Sequence, residues 1–385
     1  MKIINVEVFV IDLNDVLNKG LVAQSEMRGY IREFLFVKLT TDEGIVGYGE
    51  TTELPFEILT SAKLIKEVAE AVVVGKSPFD VELAFRNAYN LGYKPGRPER
   101  TFMGLWSAID MACWDIIGKA ANQPIYNLLG GMVNETIRTY SYVYANHNNP
   151  DEWCETLLKY IDMGFTAVKF DTLLNGPAPK MMLPVEFVHY EEVTRLTRET
   201  IGDKCDILIG THGQFTTAEA VRLAKTLEQY NPLWFEEPVP PDNPEGMEIV
   251  ARSTGIPIAA GERLATKYEC YQLIKNNAIG ILQFDMGRIG GFMEAKKVAG
   301  MAEAAGIVIA PHVYSGPLLA AASVQIDVCS TNFLIQEGIF DWGGIHAKIL
   351  NEPLKWEKGY ITPSNKPGLG VELNEEYVRR LCKII

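Results

Sequence analysis

Between Thr136 and Gln336 one rhythm repeats eight times: a short apolar run, a polar junction, and in most cases an amphipathic stretch before the next run. The strand-like runs are Thr136–Tyr144, Ala167–Phe170, Ile207–Gly210, Leu233–Glu236, Ile256–Ala260, Ile279–Phe284, Ile307–Ala310 and Phe333–Gln336. Helix-period segments fill most gaps. Thr217–Gln229 is one, with a capping-box start at Thr216-x-x-Glu219, and Gly291–Ala305 is another. Eight strands in such alternation predict a closed parallel barrel. An open doubly wound sheet is the weaker alternative, because no Gly-x-Gly-x-x-Gly turn follows the first strand.

The first 125 residues read differently. Lys2–Leu13 and Ile31–Leu39 alternate as strands, Thr41-Asp-Glu-Gly44 supplies a turn, and Ile45–Gly49 resumes the strand. Helical patterns cover Glu57–Val74, Pro78–Leu91 and Thr101–Ala121. Residues 1–125 therefore form an α+β unit, 126–350 the barrel, and 351–385 a return to the first unit. An apolar fraction of 47% with 22% charged residues fits a soluble globular chain. No apolar run reaches the roughly 18–20 residues of a spanning helix, and the strand-like start does not read as a secretory signal. A net charge of −13 without a basic stripe argues against nucleic acid. Six scattered cysteines with no Cys-x-x-Cys pair point to a reducing, cytoplasmic setting.

In a parallel barrel the reactive groups sit where strands end. Ionisable residues collect there on seven of the eight strands: Lys169 and Asp171, His212, Glu236, Glu262, Asp285, His312 and Glu337. Glu236 and Glu262 lie 26 residues apart, and a third carboxylate would complete a facial trio for a hard divalent cation. The position 26 residues before Glu236 is Gly210. Asp206 shares its strand face but lies about 13 Å deeper at ~3.3 Å per residue. His212 lies about 6–7 Å nearer the mouth, and its imidazole or a water are the candidate replacements. Glu237 faces away from Glu236 and reads as an ion-pair residue, so Glu236, Glu262 and His312 should open into one pocket and Glu237 should not. His147, His189 and His346 read as structural or surface residues.

Several motifs together resemble the enolase superfamily, and within it the acid-sugar dehydratases of the mandelate racemase/muconate lactonizing enzyme family. They are Ala167-Val-Lys-Phe-Asp171, Trp234-Phe-Glu-Glu-Pro238, Ala260-Gly-Glu-Arg263, Gln283-Phe-Asp285 with Gly290-Gly291, Pro311-His312, Asn332-Phe-Leu-Ile-Gln-Glu337 and Lys366-Pro-Gly-Leu-Gly370. The resemblance implies a modified TIM barrel of (β/α)7β type, with an N-terminal capping domain completed by the C-terminal segment. It also implies a Mg²⁺ that binds a substrate carboxylate and stabilises the enediolate left by α-proton removal. Glu236 and Glu262 match two metal ligands of that family, and the third falls on Gly210.

The resemblance makes Asp285 and His312 an acid/base dyad, with a structural core histidine as the alternative. It makes Lys169 a contact to the substrate carboxylate and Glu337 a hydrogen-bond partner of the enediolate oxygen. Asp171 stands where the family often has a second, basic Lys. For Lys169 and Asp171 an inward salt bridge is the alternative. His212 is open to proton transfer, metal ligation or a structural hydrogen bond. A loop from about Asn14 to Tyr30, carrying Lys19, Arg28 and Tyr30, would close over the substrate, with a solvated loop as the alternative. The reaction so implied is dehydration of a hydroxy acid to a 2-keto-3-deoxy acid. Racemisation or cycloisomerisation is the rival in the same fold, less expected because Lys-x-Asp lacks a second base. A metal-poor binding protein is the rival outside it. The expected partner is a small carboxylate, with homo-oligomerisation, and neither nucleic acid nor membrane.

Overall fold

The computed structural model describes residues 1–55, 57–91, 100–172 and 178–385. Its first unit is an antiparallel sheet of β1 (Ile3–Asp12), β2 (Glu33–Thr41) and β3 (Val46–Thr51). The long helix Arg100–Ala120 lies directly on β3. A Cβ at Gly47 or Gly49 would come within 2.1 Å of Ala112 O or 2.0 Å of Ala108 O, so this close approach requires glycine at both positions.

The barrel strands are β4 (Ile137–Tyr142), β5 (Ala167–Phe170), β6 (Asp206–Gly210), β7 (Trp234–Glu236), β8 (Ile258–Ala260), β9 (Ile281–Leu282), β10 (Val308–Ile309) and β11 (Gln336–Gly338). They pair in parallel from β4 through β10. Ile309 exchanges backbone hydrogen bonds with Asn332 and Leu334 at 2.9 Å, and β11 pairs with β4, which brings the ring back to its start. A helix of ten or more residues follows each of the first seven strands, from Pro150–Asp162 to Pro317–Val328. Only the short helix Ile345–Ile349 follows β11, as (β/α)7β implies.

The expected runs Ile279–Phe284 and Ile307–Ala310 shorten to two paired residues each. The chain leaves the ladder just before Asp285 and His312, which still meet as an isolated bridge.

Each of the eight barrel strands or its flank gives one residue to the barrel interior: Tyr140, Ala167, Leu208, Trp234, Ala259, Ile281, Ala310 and Ile335, all buried. Large and small side chains alternate in places, and Tyr140 meets Trp234 edge-on with centroids 5.3 Å apart. Side chains repeat faces every two residues, so the next layer toward the mouth is Tyr142, Lys169, Gly210, Glu236, Gly261, Gln283, His312 and Glu337. An apolar plug thus carries a polar floor.

The segment 351–385 divides between the two units. The hairpin β12 (Lys355–Glu357) and β13 (Tyr360–Thr362) pairs with β4 of the barrel, whereas β14 (Lys383–Ile384) pairs with β1 of the cap. Among the described residues no helix is long and apolar enough to cross a membrane.

Glu50 at the end of β3 locks cap to barrel. Its buried carboxylate accepts from the N–H of Gly316 at 2.6 Å and of Leu319 at 2.9 Å, at the start of helix Pro317–Val328. Burial pushes its pKa up to about 8 against the pull of these hydrogen bonds. Glu50→Ala is expected to lower the unfolding free energy by about 2–3 kcal/mol, because it orphans buried N–H donors. Urea denaturation read by far-UV circular dichroism measures it, and an unchanged midpoint would contradict this role.

Candidate active site

The polar floor opens into a cavity of about 310 Å³ bounded by Lys169, His212, Glu262, His312, Glu337 and Tyr30, together with Glu53, Tyr142, Arg288 and Tyr314. The last four were not singled out from the sequence. Arg288 follows Asp285 by three residues and donates from Nη1 to the backbone oxygen of Glu262 at 2.7 Å. Its signal was its position just beyond a strand end that already carried Asp285.

On one wall, Asp285 Oδ2 accepts from Nδ1 of His312 at 2.7 Å, and its Oδ1 accepts the Gly287 N–H at 2.6 Å. The imidazole is thereby fixed with Nε2 toward the cavity, 3.6 Å from Glu262 and 3.7 Å from Glu337. Burial opposes its charge, but the carboxylates of Glu337, Glu262 and Asp285 outweigh burial and raise its pKa above 6.5. The pair matches the dyad arrangement read from the sequence.

The facing wall carries a second pair. Nδ1 of His212 lies 2.7 Å from Asp171 Oδ2. The register of β5 against β6, Phe170 opposite Ile209, brings these two strand ends together. His212 adopts left-handed backbone with φ 50°, a conformation uncommon outside glycine and concentrated at functional sites. The turn is held by the Gly213 N–H donating to Glu237 O at 2.7 Å and by Thr211 Oγ1 donating to Glu236 O at 2.8 Å. Burial opposes charge on this ring too, yet the Asp171 hydrogen bond and the Glu262 charge push its pKa up to about 9. Its side chain is 40% exposed, within reach of solvent protons. Because β6 and β10 stand four steps apart in a ring of eight, His212 and His312 face each other across the cavity. A second histidine–carboxylate pair, His212 with Asp171, thus stands at the strand ends where Lys-x-Asp lacks a second lysine.

Lys169 lies between the two walls. Its ammonium is 2.6 Å from Glu236 Oε1 and 3.3 Å from Glu337 Oε1. Burial lowers its proton affinity, but the Glu236 and Glu337 carboxylates raise it well above the ordinary lysine range, so it stays charged. The alternative of an inward Lys169–Asp171 salt bridge gives way to these contacts. Glu337 Oε2 accepts the Val313 N–H at 3.1 Å.

Glu262 lines the cavity, and its pKa is held well below the carboxylate range: burial opposes this, and His312 and Lys169 outweigh it. Glu236 departs from expectation. It lies beneath the ammonium of Lys169 rather than opening to the cavity, and it is 1% exposed. Its Oε2 is also taken, by Trp234 Nε1–H at 3.0 Å and Gln283 Nε2 at 2.7 Å. Glu237 stays out of the cavity and pairs with Arg263 at 2.6 Å.

The donor set does not fit a divalent cation. Gly210 offers no ligand atom, both oxygens of Glu236 are engaged, and the cationic head of Lys169 occupies the space before it. His212 turns its Nδ1 to Asp171, not to Glu236 or Glu262. Asp206 is spent on Arg138 at 2.7 Å. Among the described residues no three His, Cys, Asp or Glu side chains gather closely enough to hold a metal. The metal-ligand expectation for Glu236 and Glu262 thus finds no third ligand among the described residues.

Of the three loop residues, Tyr30 reaches the cavity and its N–H donates to Tyr314 Oη at 2.7 Å. Arg28 instead pairs with Asp341 at 3.0 Å beside a neighbouring cavity, and exposed Lys19 pairs with Asp15 at 2.6 Å. Neither lines the site. Outside it too, His147 contacts His189 at 2.9 Å, and His346 is buried against Phe34 and Trp342.

A barrel with acid/base side chains at its strand ends and a cap folded against it defines an enzyme of enolase type. The sequence pattern of the enolase C-terminal domain-like family matches residues 152–377, and that of the mandelate racemase/muconate lactonizing enzyme N-terminal domain matches residues 22–130. The chain belongs to the mandelate racemase/muconate lactonizing enzyme family. It is 33% identical over 354 residues to a D-gluconate/D-galactonate dehydratase of Picrophilus torridus, covering 90% of this chain and 88% of that one. It is 35% identical over 361 residues to a D-galactonate dehydratase of Klebsiella pneumoniae, covering 91% of each. Among solved structures, a protein of Labrenzia alexandrii assigned to this family superposes with TM-score 0.93 at 44% identity, covering 99% of this chain and 97% of that one. A mandelate racemase/muconate lactonizing enzyme-like protein of Roseovarius sp. TM1035 gives 0.91 at 38% identity, covering 99% and 95%.

Proposed function

We propose that this enzyme dehydrates a sugar acid to its 2-keto-3-deoxy acid. The observation that carries the reading is the pair of facing histidine–carboxylate dyads in one small cavity, at 2.7 Å each. Nε2 of His312 takes the α-proton, and the electron pair of that C–H bond moves toward the substrate carboxylate to form an enediolate. The C–O bond at the adjacent carbon then breaks, and its oxygen takes the proton of His212 and leaves as water. The resulting enol takes up a proton at that adjacent carbon, gives up its hydroxyl proton, and becomes the 2-keto acid. The net change is loss of one water.

In this reading Lys169 neutralises the substrate carboxylate as charge develops on it, which its charged head at the cavity wall, 3.3 Å from Glu337, supports. His212 suits the acid role because it carries its proton at neutral pH and recovers it from solvent. The dehydratase relatives point to the same chemistry, and D-gluconate and D-galactonate are the first acids to try. Facing bases also suit epimerisation at the α-carbon, which would return an inverted hydroxy acid and no keto acid.

A panel of aldonic and aldaric acids assayed for 2-keto-3-deoxy acid tests the proposal, and recovery of only the inverted acid would defeat it. The pH dependence has a defined sign. Turnover rises as His312, held above 6.5, loses its proton, and falls as His212 loses its own through about 9. A bell with its maximum on the alkaline side of neutrality is expected from steady-state rates. A maximum in acid would contradict the assignment.

A further inference from the structure

We infer that the Lys169 ammonium is the resident cation of this site: it takes the place among the strand ends that the fold family gives to a divalent metal. The inference rests on the reading just proposed only for what the cation does there, which is to face the enediolate. Its placement stands on geometry. Nζ is 2.6 Å from Glu236, a carboxylate at a family metal-ligand position, and 3.3 Å from Glu337, which lies beside the substrate space. The side chain is 3% exposed and borders the reaction cavity.

Gly210 is the counterpart of that lysine. Its backbone is not left-handed, so glycine is not demanded there by conformation. A Cβ at that position would lie 3.4 Å from Lys169 Cε, 3.6 Å from Phe170 O and 3.7 Å from Asp171 Cβ, all ordinary contacts. A single carbon is therefore admitted. The nearest heavy atom to that carbon is Lys169 Cε, so a carboxylate extending beyond it would stand against the lysine stem.

The charges close in the same way. The ammonium answers Glu236 and Glu337. Glu236, at one of the family's remaining ligand positions, already has a cationic partner supplied by this chain. An ammonium is also a hydrogen-bond donor, so it offers the enediolate oxygen N–H groups in fixed directions as well as charge.

The probe is Mn²⁺ alone, read by electron paramagnetic resonance, together with turnover measured in excess EDTA. Wild type is expected to bind no Mn²⁺ at millimolar concentration and to keep its turnover in EDTA. Gly210→Asp combined with Lys169→Met, which restores the carboxylate and removes the ammonium, is expected to bind one equivalent. Stoichiometric Mn²⁺ on wild type, or turnover lost to EDTA and restored by Mg²⁺, would overturn the inference. A folded double variant that stays metal-free would overturn it too, because something other than Lys169 would then be keeping metal out. If the double variant does not fold, the wild-type titration decides alone. If no sugar acid is turned over, the proposed reaction fails while the Mn²⁺ signal still tests the cation site.

Discussion

His312→Asn is expected to reduce formation of keto acid by about 10³-fold, within the range that a positioned acid/base group contributes. Asparagine keeps an N–H that can reach the Asp285 carboxylate, which the imidazole contacts at 2.7 Å, so the strand end should hold its shape. What disappears is Nε2, the nitrogen aimed into the cavity. Asp285→Asn should cost a comparable factor by another route. An amide oxygen or NH₂ opposite Nδ1 no longer selects the tautomer that leaves Nε2 free to accept. Steady-state assays with circular dichroism as a folding check test both. Near-wild-type turnover by folded His312→Asn would remove His312 from the chemistry.

Lys169→Met should act on catalysis and stability together. The buried ammonium lies 2.6 Å from Glu236 and 3.3 Å from Glu337, and removing it leaves carboxylates facing each other without their shared counter-charge. Breaking a buried ion pair from one side typically costs about 3–5 kcal/mol. Loss of charge stabilisation for the developing enediolate should lower turnover by about 10²–10³-fold in the population that still folds. Chemical denaturation and single-turnover assays separate the two effects. A variant as stable as wild type would show that these carboxylates do not depend on the lysine.

The parts of this architecture that follow from two-residue alternation were legible in the sequence. Once Ala167, Trp234, Ala310 and Ile335 are placed inside the barrel, Lys169, Glu236, His312 and Glu337 must form the layer above them. Glu237 pointed the other way for the same reason. What alternation cannot give is which strand ends touch. Asp171 and His212 each stood at a strand end, but their pairing depends on the register of β5 against β6 and on the left-handed turn at His212. The depth of Glu236 was equally hidden, because it depends on Lys169 folding over it into the room left by Gly210.

Loop residues were least legible. Arg28 is committed to Asp341, 313 residues away, a contact set by how the cap meets the barrel. The hairpin β12–β13 also joined the barrel rather than the cap, since the short strand runs do not state whose edge they cover.

The division of labour between the facing histidines is the claim on which the functional account rests, and hydrogen exchange at the α-carbon tests it most directly. A sugar acid that the enzyme turns over is incubated in D₂O with wild type, His212→Asn and His312→Asn, and deuterium at C2 is followed by proton NMR. His212→Asn should still exchange the α-hydrogen while releasing little keto acid, because His312 retains the proton-abstracting nitrogen and only the acid for the departing hydroxyl is gone. His312→Asn should do neither. Exchange that persists in His312→Asn and vanishes in His212→Asn would contradict the account and reverse the two roles.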